Sequence, residues 1–299
     1  MYDEISKIDA MFEGVFITDA LGVIRVWNQS AEHIAGFDAP EMLERYYHED
    51  HLNPTDDLGK LIYLEKCPIQ SVLTDGIEIK IDAFIQHKKG HRLAVQMIIS
   101  PVYQNDQVVG VMTSFIESHE TKIAIEKHIL DEKNALDGYL DSLTGLPNAK
   151  QIELEILRHL NTASNKEQPF GVVMADIDDF EGINQIYGRE LSDEVLKLIT
   201  LTFTHTMKAA DFIGRWKNDE FVFIFSGITN KALNKQCEKI RVMSENSCLR
   251  NHESLEINMS VSVAGTLARV DDTFETVMQR VSERLKRAKS KGGNSIITN

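Results

Sequence analysis

The sequence predicts a two-domain α+β chain, its first domain an antiparallel sheet with short helices, its second built on buried strands that end in acids. Three observations carry this. The 299 residues, 42% hydrophobic and 26% charged, are enough for two ordinary soluble domains. Strand-like runs separated by Gly, Asp and Asn turns fill residues 1–117. Beyond a polar, helically patterned stretch at 118–141, an apolar run in 142–299 ends in three acids and an apolar hairpin carries a carboxylate pair.

Taken in order, Gly14-Val15-Phe16-Ile17-Thr18 reads as a first strand and Val23 to Asn28 as a second, joined by the turn Asp19-Ala20-Leu21-Gly22. Asn28 or Ser30 is placed to cap a helix around Ala31 to Ala35, with Gly36 ending it. Cys67-Pro68 precedes a short helix at Ile69 to Leu73. Three strands follow at Glu78 to His87, Arg92 to Tyr103 and Gln107 to Glu117, and Leu93, Val95, Met97 and Ile99 recur at alternate positions of the second. His48 and His51 in YYHEDHLNP read as solvated loop residues, because no ligand spacing accompanies them.

In the segment 118–141, Ile125, Ile129, Leu136 and Tyr139 fall on heptad a and d positions, with Glu132 the polar entry. A dimer-forming helix is the preferred reading, and an amphipathic helix packed on a domain the other. Next, after DSLTGLPN and a helix, Phe170 to Ala175 is continuously apolar, as a strand buried on both faces requires, and it ends at Asp176, Asp178 and Asp179. Phe212 to Trp216 and Phe221 to Phe225 read as a hairpin turning at Lys217-Asn218, with Asp219 and Glu220 beside the turn. If the two acidic strands are neighbours, Asp176 and Glu220 converge where a hard divalent cation and a phosphate-bearing substrate would suit them.

The net charge of −14 argues against nucleic-acid binding but leaves room for a nucleotide bridged by a cation. No apolar run reaches the roughly 18 residues that span a bilayer, the N-terminus MYDEISKIDAMF lacks a secretion signal, and a cytoplasmic location is expected. Cys67, Cys237 and Cys248 are widely spaced and read as reduced thiols. There is no phosphate-loop motif, no H-E-x-x-H and no C-x-x-C.

Two resemblances add to this. ITDALGVIRVWNQSAEHIAGF and HKKGHRLAVQMIISPVYQNDQVVGVMTSF resemble a PAS domain, which implies a sensor whose ligand the sequence does not name. DSLTGLPN, ADIDDFEGINQIYGRELSDEVL, DFIGRWKNDEFVFIF and AKSKGGNS resemble, in order and spacing, the GGDEF domain of diguanylate cyclases. That family implies a nucleotidyl-cyclase-like mixed sheet flanked by helices. It also implies a homodimer holding one GTP per subunit, whose 3'-hydroxyls attack the facing α-phosphates with Mg2+ or Mn2+ to give cyclic di-GMP and pyrophosphate.

Carried over by motif, the resemblance makes Asp176, the Ile177 carbonyl and Glu220 the metal ligands, and Asp219 and Glu220 the catalytic acidic pair. It places Phe180, Asn184, Asp193 and Lys289 on the nucleotide, with Asn184 and Asp193 reading guanine. Lys208 and Asp211 occupy the family's inhibitory product site, where lysine lacks the planar fork of the usual arginine. Four positions depart from the pattern: Lys217 and Asn218 replace the signature glycines, Glu181 a lysine, and Gly293 a phosphate-binding arginine. Ala264 also replaces a usual glycine. The expectation is a sensor-regulated cyclic di-GMP signalling protein whose altered site binds guanine nucleotide with weak or no turnover and which works with a protein partner. An active cyclase and a purely structural interaction module are the alternatives.

Overall fold

The computed structural model describes residues 12–47, 51–65, 67–118, 138–166, 169–208, 210–250 and 256–298. The chain divides into two compact units between His119 and Glu120. His48 and the heptad positions Ile125, Ile129, Glu132 and Leu136 lie outside the described residues.

In the first unit, strands β1 (Gly14–Asp19), β2 (Ile24–Trp27), β3 (Ile79–Gln86), β4 (Arg92–Gln104) and β5 (Gln107–Glu117) form an antiparallel sheet in the order β2-β1-β5-β4-β3. Helices α1 (Gln29–Ala35), α2 (Ala39–Met42), α3 (Ile62–Glu65) and α4 (Pro68–Asp75) lie between β2 and β3. The Asp19 carboxylate accepts from the amides of Leu21 and Val23 and so closes the first turn. Asn28 is the cap of α1, its Oδ1 accepting from Ala31 N and also from Val15 N at 2.8 Å. One side chain thus starts the helix and fastens it to β1.

Leu93, Val95, Met97 and Ile99 are all buried, as their alternation predicts, and pack with Phe16, Trp27 and Phe115. Cys67 caps α4, is only half-buried, and lies 2.7 Å from the Tyr47 hydroxyl. These two residues, with Phe16, Ile81, Met97 and Ile99, line a cavity of about 30 Å³, room for one or two waters. His51 is not merely solvated; its ring packs edge-on against Phe37 at 5.3 Å.

Burial, reinforced by the Lys89 ammonium, pushes the His87 imidazole down to about 4. Its folded value is below the unfolded value of 6.5, so the stability it supplies is present above pH 6.5 and lost as the pH falls toward 4. Acidification across that window is expected to cost about 2 kcal/mol, allowing for solvent at the ring. Melting curves of the parent and His87→Gln check this; identical pH profiles would refute it.

In the second unit, β6 (Phe170–Ile177), β7 (Phe212–Lys217), β8 (Glu220–Ser226), β11 (Val261–Leu267) and β12 (Ile296–Ile297) form a sheet in the order β12-β11-β6-β8-β7. β11 and β12 are parallel and the other pairs antiparallel, so the sheet is mixed. A two-stranded ribbon, β9 (Cys248–Arg250) and β10 (Glu256–Asn258), stands apart.

Alternate residues explain the apolar runs. Val173, Ala175, Phe221, Phe223 and Val263 face α6 (Phe180–Thr206) and α7 (Asn230–Glu245), through Ile199, Phe203, Leu233 and Ile240. Val172, Met174, Val222, Ile224 and Ala264 face α5 (Ala149–Lys166) and α8 (Phe274–Lys289), through Ile152, Ile156, Val281 and Leu285. Both faces are covered, so neither strand alternates in polarity. The Ala264 methyl group is absorbed by that second core.

Two details differ from the sequence reading. Residues 138–141 form a turn, not the end of a helix: Asn148 N donates to Tyr139 O, and Asn148 Nδ2 donates to Gly138 O and Leu140 O. The hairpin turns at Asn218-Asp219 rather than Lys217-Asn218, because a bulge between Arg215 and Lys217 lets Lys217 pair with Glu220. Asn218 takes the left-handed conformation at φ 46°.

Candidate functional site

Antiparallel pairing of β6 with β8 sets Asp176 opposite Glu220 at the end of the sheet. The neighbouring strands that the sequence reading required are therefore present. The side chain of Asp176 is 7% exposed, and Lys289 Nζ, at the end of α8, lies 2.5 Å from its Oδ1. Burial pushes the Asp176 carboxyl up to about 6; Lys289 opposes the rise and Asp219 adds to it. Burial also raises Glu220, with Lys217 opposing and Asp176 reinforcing. Glu220 Oε2 is buried without a hydrogen-bond partner, its nearest cation being Lys217 Nζ at 3.6 Å.

Crowded carboxylates with an orphaned oxygen are a costly arrangement that a hard cation relieves. The residues fit a divalent ion held by Asp176, Glu220 and the Ile177 carbonyl. Among the described residues no three His, Cys, Asp or Glu side chains already converge as ligands, so two carboxylates need backbone or nucleotide oxygens to complete the shell. Such an ion supplies charge neutralisation to a phosphate and polarises its P–O bonds.

Beside this pair opens a cleft of about 780 Å³ lined by Phe180, Glu181, Asn184, Arg189, Ser192, Asp193, Arg215, Asn218, Asp219 and Lys289, among others. Asp219 and Lys289 connect it to Asp176. Asn184 and Asp193 come from the two halves of α6, which is interrupted at Gly188 (φ 80°, ψ 173°), a backbone conformation only glycine adopts readily. The break folds Ser192 back so that its hydroxyl donates to Gly188 O at 3.0 Å and approaches Asn184 Oδ1 at 3.4 Å.

The four departures behave differently. Asn218 occupies the left-handed position that a signature glycine would fill. Lys217 lines a neighbouring hollow with Asp141, Asn148 and Trp216 rather than the main cleft, and its side chain is 63% exposed. Glu181 does line the cleft, adding negative charge. Gly293 sits at φ 82° with a would-be Cβ 3.0 Å from Asp178. Asp178 accepts there from Ser260 Oγ, Ser262 Oγ and Asn294 N, each at 2.7 Å, and so latches the turn after α8 to the end of β6. Restoring an arginine at 293 is therefore expected to destabilise the domain by about 1 kcal/mol, read as a lower Tm for Gly293→Arg. An unchanged or higher Tm would contradict the latch argument.

Lys208 and Asp211 close a turn: Lys208 N donates to Asp211 Oδ2 and Asp211 N to Lys208 O, both at 3.0 Å. Sequence reasoning missed two cleft residues. Arg215 donates through Nη1 to Asp141 Oδ1 and through Nε to Asn218 O, each at 2.8 Å, tying the hairpin turn to the DSLTGLPN loop. Its partner lies 74 positions away, so no local pattern announces it. Arg189 directly follows the glycine break and lines the cleft.

The second unit is therefore a mixed sheet covered on both faces, with an acidic pair at its end beside a large polar cleft, and an antiparallel-sheet domain precedes it in the chain. The family description "Diguanylate cyclase, GGDEF domain" matches residues 138–295, and "PAS fold" matches residues 7–118. The chain belongs to the GGDEF family, with a PAS domain ahead of the GGDEF domain.

Diguanylate cyclase DosC of Escherichia coli (strain K12) is 24% identical over 174 residues, covering 58% of this chain and 38% of that protein. Response regulator PleD of Caulobacter vibrioides is 28% identical over 186 residues, covering 60% of this chain and 41% of that protein. The chain thus spans about two fifths of these relatives. The GGDEF domain of DgcB from Caulobacter crescentus, solved in complex with c-di-GMP, aligns with TM-score 0.53 at 23% identity over 55% of this chain and 94% of that one. Diguanylate cyclase SiaD from Pseudomonas aeruginosa, solved with its activator SiaC, aligns with TM-score 0.52 at 23% identity over 58% and 68%. Among the described residues no helix is long and apolar enough to cross a membrane.

Proposed function

We propose that this chain is a PAS-regulated cyclic di-GMP signalling protein whose GGDEF domain binds GTP with Mg2+ or Mn2+ and turns it over weakly or not at all. The observation that carries the reading is the pairing of Asp176 with Glu220 next to a cleft holding Asn184, Asp193, Asp219 and Lys289. That arrangement supports metal and guanine binding. The phosphate grip is what has changed. Four acids, Asp179, Glu181, Asp193 and Asp219, line the cleft, while Lys289 is engaged by Asp176 and Arg215 by Asp141. A triphosphate enters such a cleft only with its cation. The absence of a fork at position 293 and the carboxylate at 181 weaken the positioning that in-line attack needs.

A working cyclase is the second reading. It is favoured by Lys217 lining the neighbouring hollow rather than the main cleft and by Asn218 adopting the glycine-like conformation. Incubation of the purified chain with GTP and Mg2+ or Mn2+, with products separated by chromatography, decides between them. Calorimetric GTP binding without product supports the first reading; steady multiple turnover to cyclic di-GMP supports the second. Failure to bind any guanine nucleotide overturns both and leaves an interaction module. A dimer, through the 118–141 segment, and a protein partner belong to the same proposal, and the oligomeric state in solution tests the former.

A further inference from the structure

We infer that Arg189 is a specificity-determining residue of this cleft, reading the O6/N7 edge of the guanine whose N1-H and N2-H2 face Asp193. The inference rests on the nucleotide-binding reading above and deepens it.

Arg189 opens the second half of α6, directly after the break at Gly188. It lines the cleft together with Asn184, Ser192 and Asp193. Arg189 and Asp193 are four residues apart, one turn along the same helix face, where side chains lie about 5–6 Å apart at Cβ. A purine edge presents its two hydrogen-bonding sides over a comparable distance. Asp193 can only accept while ionised, so it selects the donors N1-H and N2-H2. It has nothing to offer O6 or N7. An arginine fork supplies two parallel donors and is the commonest protein partner for that acceptor pair.

The other cations of the cleft are committed. Arg215 holds Asp141 and the Asn218 carbonyl, and Lys289 holds Asp176. Arg189 is exposed and makes no hydrogen bond or ion pair with the described residues. Its position beside Asn184 and Asp193 belongs to the base end of the cleft, whereas Asp219 and Lys289 mark the end next to Asp176. A guanidinium four residues from a carboxylate on one helix gives the site a donor and an acceptor pole, and guanine matches both. Adenine offers N6-H2 where Arg189 needs an acceptor and is rejected by both poles.

The test is calorimetry on the full chain with Mg2+ and three probes: GTP, 7-deaza-GTP, which lacks the N7 acceptor, and ITP, which lacks the 2-amino donor. The parent is expected to bind 7-deaza-GTP several-fold more weakly than GTP. Arg189→Ala is expected to lose about tenfold in GTP affinity and to bind GTP and 7-deaza-GTP equally, while still disfavouring ITP. Arg189→Lys is expected to recover little, because it keeps the charge without the fork. If Arg189→Ala weakens both nucleotides equally and keeps the 7-deaza penalty, Arg189 touches phosphate and the inference is overturned. GTP binding unchanged in Arg189→Ala also overturns it, leaving the nucleotide reading intact. Only a parent that binds none of the three probes overturns that reading itself.

Discussion

Glu220→Ala is expected to cut any cyclic di-GMP formation by about a hundredfold or more and to abolish Mg2+-dependent gain in GTP affinity. The expectation follows from its place in the ladder. Glu220 is held opposite Asp176 by the β6–β8 register, and its Oε2 is buried without a hydrogen-bond partner. A purely structural carboxylate so placed would be a liability, which gives the prediction a second, opposite half. Burial raises the Glu220 pKa, with Asp176 adding to the rise, so the folded state favours the protonated acid. Stability linked to this group is present below the ordinary carboxylate range and lost as the pH rises through the raised value. At neutral pH the uncharged Glu220→Gln should therefore raise the stability of the ligand-free protein by about 1 kcal/mol, while lowering activity. With GTP and Mg2+ at a hundred times Kd the parent should gain about 2.7 kcal/mol that the variant does not. A destabilised Glu220→Gln that keeps its metal response would assign the residue to the fold instead.

How much of this was legible in the sequence depends on the range of the interaction. The strands of both domains were visible because burial patterns are local: Leu93 to Ile99 alternate against one covered face, whereas Phe170 to Ala175 and Phe221 to Phe225 run apolar under two. The cap at Asn28 was legible as one of two candidates, and its second bond to Val15 N decided the choice. Asp176 and Glu220 could be paired conditionally, since each lies at the end of an apolar strand. Register itself was not legible. The bulge before Lys217 moved the turn one residue along and placed the lysine beside the neighbouring hollow. The Asp178 latch depends on Ser260, Ser262 and Asn294, more than eighty positions away, and gives Gly293 a steric reason that composition could not supply. Arg215 and Arg189 escaped for a related reason. Arg215 meets its partner Asp141 across 74 positions, and the cleft wall that Arg189 joins is completed by segments far along the chain.

Arg215→Ala is expected to produce the largest stability loss among cleft substitutions, about 2–3 kcal/mol, and to weaken GTP binding with it. The side chain of Arg215 is 12% exposed and that of Asp141 24%, so the pair is well shielded from water. Asp141 Oδ1 also accepts from Thr144 N at 2.9 Å and Thr144 Oγ1 at 2.7 Å. Burial pushes the Asp141 carboxyl up, but the bonds from Arg215 and Thr144 outweigh it and hold the group below its ordinary 3.8. The pair's contribution is therefore complete above pH 3.8 and lost as the pH falls through the depressed folded value. Removing the guanidinium leaves a part-buried carboxylate and frees the Asn218 carbonyl at the turn that borders the cleft. Urea unfolding at pH 7 and near pH 3 should show the parent losing more stability on acidification than Arg215→Ala. A cycle with Asp141→Asn should return a coupling of about 1–2 kcal/mol. Arg215→Lys separates charge from geometry, since an ammonium can meet Asp141 but cannot also hold Asn218 O through a fixed fork. If Arg215→Lys restores stability but not GTP affinity, the turn bond shapes the cleft; if it restores both, the charge on Asp141 is all that matters; additive single substitutions would remove the coupling altogether.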